Sequence, residues 1–299
     1  MEAHIQTLLG PITGTDILLD GDLHTKVLQT KLTPNLGHLI GPLKEELEFA
    51  MSMELPDCKD EWVEIQMHGI IRRFVARLSA RAFTGPIACR NEEWVAANTA
   101  YPTNIFTTIG PLRMFPSFMH LLQWMLDTAK PKDAAPASLA HRLLALSLGS
   151  LNTTTTAAVQ TLYDICNHPE YFEPLREELL DSLTANGGWD KATLSKLHGF
   201  DSFMKESQRV NPPSYLSFNR VVRKPLTLSD GTRFPKGTHF GMPAYSILQD
   251  PSIVENPTEF DGFRYKKIRQ QPKEANKHQY ASTDSNNIHF GHGNLSLAI

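Results

Sequence analysis

The sequence predicts a mainly α protein with a small antiparallel β region. Two observations carry that prediction. Apolar residues recur at three- and four-residue spacing through most of the chain up to about residue 210, broken by Pro, Gly, Asn and Asp at helix-ending positions. From Ser214 to Met242 the pattern changes to short alternating runs separated by turn dipeptides, which is the signature of hairpin strands. With 299 residues, 41% hydrophobic and 20% charged, the chain is long enough to bury a sizeable core, and one domain over residues 1–299 is expected.

Composition also excludes some classes of function. A formal net charge of -3 offers no electrostatic footing for nucleic acid or an anionic membrane. Cys58, Cys89 and Cys166 stand far apart with no CxxC pair, so neither a zinc site nor a disulfide framework is indicated, and each reads as a small buried hydrophobe. The first residues lack a basic region followed by an apolar run, and no stretch reaches the length of a membrane span. As written, the chain reads as soluble and intracellular.

Residues 1–32 carry turn signals and little periodicity. Thr33-Pro34 then opens a helix in cap and first-position order, with Leu36, Leu39, Ile40, Leu43 and Leu47 as one stripe and a bend expected at Pro42. A second helix is expected after Pro56-Asp57, placing Ile70, Ile71, Phe74, Val75 and Leu78 inward and Arg72, Arg73 and Arg77 on a solvated face. Asn91 caps a third helix running to about Ile109, and Met114 to Leu126 forms a fourth. After the linker around Pro136 comes the longest helix, Ala137 to Cys166. Its middle holds Asn152, Thr153, Thr154, Thr155 and Thr156; a β-branched hydroxyl run of this kind predicts a distorted segment or a small-residue packing face. His168-Pro169 restarts a helix, Asn186-Gly187-Gly188 turns the chain, and Asp190 to Leu197 is a short helix.

The next helix, with Asp201 as its expected N-cap and Asn211-Pro212-Pro213 as its stop, carries Glu206 and Arg209 three residues apart on a face with Phe203, Met204 and Val210. On its own such a pair is commonly a solvated surface contact. In a buried helix it needs every donor and acceptor satisfied, so Arg209, with its five donors, calls for a third partner. Short strands follow at Ser217–Val222, Leu226–Leu228, Thr232–Phe234 and His239–Met242, economically one small antiparallel sheet. A turn-rich loop then runs from Asn256 to Arg264, and polar loops cover Lys266 to Asn287 before His289-Phe290-Gly291-His292-Gly293.

Glu206-x-x-Arg209, the small sheet, Pro257-x-x-Phe260-x-x-x-Arg264 and Phe290-x-x-Gly293, in this order and at these intervals, resemble the haem-thiolate monooxygenases, the cytochromes P-450. Thr33-Pro-Asn-Leu-Gly37, Leu78-Ser-Ala-Arg81, His168-Pro-Glu-Tyr171 and Pro225-Leu-Thr-Leu-Ser-Asp-Gly231 look like the family's fungal secondary-metabolism branch. The resemblance implies haem between the long helix and the Phe290 loop. It also implies oxidation of a small apolar terpenoid or meroterpenoid, with electrons from an NADPH-cytochrome reductase. It makes Arg264 the third member of a structural triad with Glu206 and Arg209, and matches Thr153, preceded by Asn152, to the proton-delivering hydroxyl on the oxygen side. Arg220 matches a haem-propionate partner, and Phe290 and Gly293 the haem loop.

The chain also departs from the pattern. Family members place the iron-ligating cysteine four residues after the glycine, and here Leu297 stands there, so no metal ligand is present in the expected place. The resemblance begins only at about Thr33, after the membrane anchor that holds relatives to the endoplasmic reticulum, and the chain ends at Ile299. A fragment is therefore expected, with Asn294 to Ile299 as a shifted frame or unspliced intron. The alternative to a monooxygenase by descent is an inactive remnant that binds no haem. A zinc site from His278, His289 and His292 is a weaker reading, because their spacing is not that of a helical metal motif and no acidic partner beyond Asp284 is expected.

Overall fold

A computed structural model describes residues 21–99, 121–131, 133–222 and 224–292. The expected turns before residue 21, the far end of the third helix with the start of the fourth, and Gly293 to Leu297 and beyond lie outside these residues. The described chain forms two compact units. The first takes the residues up to Val159 with Ser182–Lys196, the second Gln160–Asp181 and Leu197 onward.

The first unit opens on α1 (Leu23–Val27), which runs without a break through a π turn (Leu28–Leu32) into α2 (Thr33–Glu54). The expected helix start at Thr33 is thus corrected, since its φ of -57° and ψ of -46° are helical. The widened turn lets Pro34, which has no N–H to give, sit inside a continuous helix. Thr33 Oγ1 donates to the Leu28 carbonyl and Asn35 Nδ2 to that of Lys31 at 2.9 and 2.7 Å, using carbonyls around the interruption. Of the expected stripe Leu39 is buried but Leu36 is 45% exposed.

Helix α3 (Met67–Phe83) begins well after Pro56-Asp57, because the intervening stretch around the fully exposed Trp62 has no apolar face to bury. Its arginines contradict the expected solvated face. Arg77 is wholly buried, donating to the Cys89 carbonyl at 2.9 Å and pairing with Glu92, while Arg73 binds Glu54 and Glu92 at 2.6 and 2.7 Å. The Arg73 guanidinium, then that of Arg77, hold the Glu92 carboxyl below its ordinary range. Those acids lie at the end of α2 and the start of α4 (Glu92–Thr99), so the basic face of α3 joins three helices. Asn91 caps α4 as expected, accepting from Trp94 N at 2.9 Å.

Helix α5 (Leu121–Thr128) and the front of α6 (Pro136–Asn167) complete the first core, where Val27, Leu121, Met125 and Leu143 are fully buried. Each such side chain contributes roughly 1.5–3 kcal/mol relative to exposure. Only Cys89 is the buried hydrophobe expected of all three cysteines; Cys58 and Cys166 are exposed, one in the unpatterned stretch and the other in the last turn of α6. Helix α7 (Phe172–Asn186) and α8 (Lys191–Ser195) flank a glycine turn, with Asp190 capping α8 through Thr193 N at 2.6 Å.

In the second unit α9 (His198–Val210) starts before Asp201, so Asp201 is not its N-cap. The cap comes from another helix. Glu178 of α7 accepts from Gly199 N at 2.8 Å and from Phe200 N at 3.2 Å. A Cβ on Gly199 would lie 2.8 Å from Glu178 Oε2, so glycine lets the carboxylate reach the helix end. The β region is antiparallel, as two ribbons: β1 (Ser217–Val221) with β4 (His239–Met242), and β2 (Leu226–Thr227) with β3 (Arg233–Phe234). After α10 (Ala244–Ile247) comes α11 (Arg264–Arg269), a short helix where the sequence pattern suggests only loop. No helix among the described residues is long and apolar enough to cross a membrane.

Candidate functional site

Helix α9 is anchored by one aromatic residue and otherwise buries polar groups. Phe203, 1% exposed, packs with its ring centroid 5.5 Å from Tyr171 and 5.3 Å from Phe260, and His168 stacks on Phe260 at 4.3 Å. Met204 and Val210, expected inside, are only half-buried. The residues that are buried instead include Ser202, Lys205, Glu206, Ser207, Gln208 and Arg209. Such a surface is stable only when its groups are paired.

Glu206 and Arg209 are both fully enclosed, joined by parallel bonds from Arg209 Nε to Oε2 at 2.8 Å and from Nη2 to Oε1 at 2.7 Å. Arg264 Nε reaches the two carboxylate oxygens at 3.2 and 3.1 Å, and Asp261 N donates to Oε1 at 3.0 Å. The remaining donors of Arg209 go to the carbonyls of Leu248, Pro257 and Glu259 at 3.2, 2.7 and 3.0 Å. Arg264 binds those of Asn256 and Glu259 at 3.3 and 2.9 Å. One carboxylate therefore takes two guanidinium groups, and together they fix the whole turn from Leu248 to Arg264. Burial works against the Arg209 charge, but the Glu206 carboxylate outweighs it and holds the guanidinium above its ordinary range. Burial, then Glu206, push the neighbouring Tyr265 phenol up.

A second buried acid escaped the sequence reading. Asp164, near the end of α6, accepts from Ser207 Oγ at 2.6 Å and from Asn211 Nδ2 and Gln160 Nε2 at 3.0 Å each. It fastens α9 to α6, with no cation paired to it among the described residues, and nothing local in the sequence marks it.

The other expected site residues are placed as follows. Asn152 and Thr153 lie in α6 and are exposed; the run through Thr156 stays regular α-helix, so of the two readings of the run the distorted segment is not met. The reason is local: Thr153 Oγ1 donates to the Gly149 carbonyl at 2.7 Å, so the hydroxyl is satisfied inside an undistorted turn. Thr155 is the buried member of the run. Arg220 stands in β1 opposite Phe240, its side chain outside the described part. Phe290 is half-buried, edge-on to Tyr280 at 5.7 Å, and Gly291 turns the loop at φ +75°. Gly293 and Leu297 fall outside the described residues.

The three histidines do not converge. His278 binds Glu274 at 2.7 Å and His292 binds Thr283 at 3.2 Å. His289 is brought down to about 4 by burial and then by the Lys205 charge. Among the described residues no group of three or more His, Cys, Asp or Glu is placed to hold a metal ion.

Comparison with known proteins bears on this geometry. The family described as Cytochrome P450 matches residues 114–293. The chain is 49% identical to a cytochrome P450 monooxygenase of Emericella nidulans over 99% of its own length and 64% of that protein's. It is 39% identical to an ent-kaurene oxidase of Gibberella intermedia, over 98% of this chain and 64% of that one. Among solved structures it matches the retinoic acid-bound cyanobacterial CYP120A1 with a TM-score of 0.65 at 16% identity, covering 96% of this chain and 66% of the other. The chain thus spans about 64% of the length of these fungal relatives.

Proposed function

The chain belongs to the cytochrome P450 family, and we propose that it is a monooxygenase by descent, of the kind that oxidises an apolar fungal terpenoid or meroterpenoid with electrons from an NADPH-cytochrome reductase. The observation that carries this reading is the enclosed Glu206 carboxylate shared by Arg209 and Arg264, in a chain resembling an ent-kaurene oxidase along nearly its whole length. In this reading the triad braces the core. Asn152 and Thr153 are the polar positions on the oxygen side, and Arg220, Phe290 and Gly293 border the cofactor. Thr153 could serve another acceptor only by releasing the Gly149 carbonyl.

Haem is the cofactor of the family, and the donor set of this chain does not fit its thiolate form. Leu297 has no lone pair to offer at the ligand position. Cys89 is buried against the Pro86 carbonyl at 3.2 Å, its thiol pushed up to about 12 by burial and then by Glu46. Cys58 and Cys166 are exposed in stretches far from the Phe290 loop in sequence. On that mismatch alone rests a second reading, in which this polypeptide is an inactive remnant that binds no haem.

The two readings separate in one experiment. The chain and its Leu297→Cys variant are supplied with haem, a reductase and NADPH, and a diterpene hydrocarbon is assayed for incorporation of one oxygen atom. Product from the Leu297→Cys variant alone supports descent together with loss of the ligand. Product from the chain as encoded overturns the remnant reading, and none from a haem-loaded Leu297→Cys variant overturns the first.

A further inference from the structure

Two adjacent stripes of α9 hold different segments of the second unit. Ser202, Glu206 and Arg209 form one stripe, and Asp201, Lys205 and Gln208 the other, since residues three and four apart are neighbours on a helix. The first stripe holds residues 248–266 through the triad and through Ser202 Oγ, which accepts from Lys266 N at 3.0 Å. The second holds the chain from Arg269 to Ser282. Asp201 Oδ2 pairs with Arg269 Nη1 at 3.2 Å and its Oδ1 accepts from Tyr280 N at 3.1 Å. Lys205 Nζ donates to the carbonyls of Gln279 and Ser282 at 2.8 and 3.2 Å and lies 5.2 Å from the centroid of the Tyr265 ring.

Lys205 is only 2% exposed, yet among the described residues its ammonium is bonded to carbonyl oxygens and to no carboxylate. Burying a cation with no carboxylate bonded to it is costly, and the charge-assisted bonds to main-chain carbonyls offset that cost. Their location gives the residue a use. The Ser282 carbonyl also accepts from Asn287 Nδ2 at 3.2 Å, and Asp284 Oδ1 accepts from Asn286 N and Asn287 N at 2.8 Å each. Ser282 is therefore the root of a closed turn that delivers the chain to Phe290 and Gly291.

We propose that Lys205 is a positioning residue: it clamps the 279–292 segment, and with it Phe290 and Gly291, to α9 independently of the Glu206–Arg209–Arg264 brace. This goes beyond the family reading and does not require that haem binds.

Hydrogen exchange on the chain as encoded and on Lys205→Met tests it. The expected result is exchange about tenfold faster across 279–292, with 255–264 unchanged within about twofold, because opening of one segment need not open its neighbour. Equal loosening of both segments, or of neither, overturns the proposal.

Should Lys205→Met fail to fold, the unsubstituted chain decides. The charged groups facing Lys205 are Asp201, Asp284 and Arg269, with Tyr265 and His289 as the other titratable neighbours. Between pH 7 and 9 Tyr265 is pushed up out of range, and His289 is already neutral. Burial brings Lys205 down to about 8, so it loses its proton within that window while Tyr265 and His289 do not change. Protection across 279–292, corrected for base catalysis, should then fall by about fivefold while 255–264 holds, since a neutral amine makes weaker bonds than an ammonium. A flat profile across that window overturns the proposal.

Discussion

Replacing Glu206 by Gln removes the charge that two guanidinium groups share while keeping the side chain's shape. Arg209, fully enclosed, would keep the carbonyls of Leu248, Pro257 and Glu259 and one amide oxygen, but an amide NH2 would face its donors where the second carboxylate oxygen now accepts. Breaking a buried pair in this way costs about 3–5 kcal/mol, far above the ~1 kcal/mol ceiling of an exposed pair. Urea unfolding followed by far-ultraviolet circular dichroism should show the midpoint lowered by about 1–2 M, given slopes of a few kcal/mol per molar. Arg264→Ala should cost less, about 1.5–3 kcal/mol, because removing it leaves Glu206 still paired with Arg209 and the Asp261 amide. The double variant should cost less than the sum by about 0.5–3 kcal/mol, since the three groups form one network. A Glu206→Gln loss under about 1 kcal/mol, or strict additivity, would refute the shared-carboxylate reasoning.

Acid sensitivity follows from two histidines. His24 is brought down to about 4 by burial and then by Arg142, and His289 to about 4 by burial and then by Lys205, both from 6.5. Because the folded values are the lower ones, the stability they contribute is complete above pH 6.5 and is lost as pH falls towards 4, by up to about 3 kcal/mol per site. Denaturant midpoints at pH 7.5 and 4.5 should differ accordingly, and His24→Gln should flatten the slope by about half. Gly262→Ala should destabilise by about 1–3 kcal/mol in the same melts, since the new Cβ would stand 2.7 Å from Phe203 and 2.9 Å from Tyr171. Asp164→Ala should cost about 2–3 kcal/mol by orphaning Ser207 and Asn211, and Asp164→Asn, which keeps an acceptor, clearly less; equal costs would contradict the hydrogen-bond assignment.

What the sequence revealed depended on how local the cause was. Glu206 and Arg209 are legible because three residues on a helix fix their contact. Arg264, though distant in sequence, is legible only because a recognisable spacing of Pro257, Phe260 and Arg264 recurs in a family. Arg77 was misread for the opposite reason: its acids, Glu54 and Glu92, sit on other helices, so three arginines on one face look solvated until those helices meet. The Glu178 cap of α9 is hidden in the same way, and Asp201 next to it is a local decoy with work elsewhere. Helix α11 is too short and too polar to announce itself, and it is held by Ser202 and Asp201 rather than by an apolar stripe. The threonine run shows propensity overruled, because back-bonding satisfied the hydroxyl of Thr153 within a regular turn. The buried face of α9 had few apolar residues to read at all, since its partners are main-chain carbonyls and carboxylates.

The most direct measurement is the absorption spectrum of the haem-treated chain, reduced under carbon monoxide, beside that of Leu297→Cys. A P450 scaffold whose ligand position carries leucine should give no thiolate-type Soret band, and restoring sulfur at that one position should produce it. A thiolate-type band from the chain with Leu297 in place would contradict this.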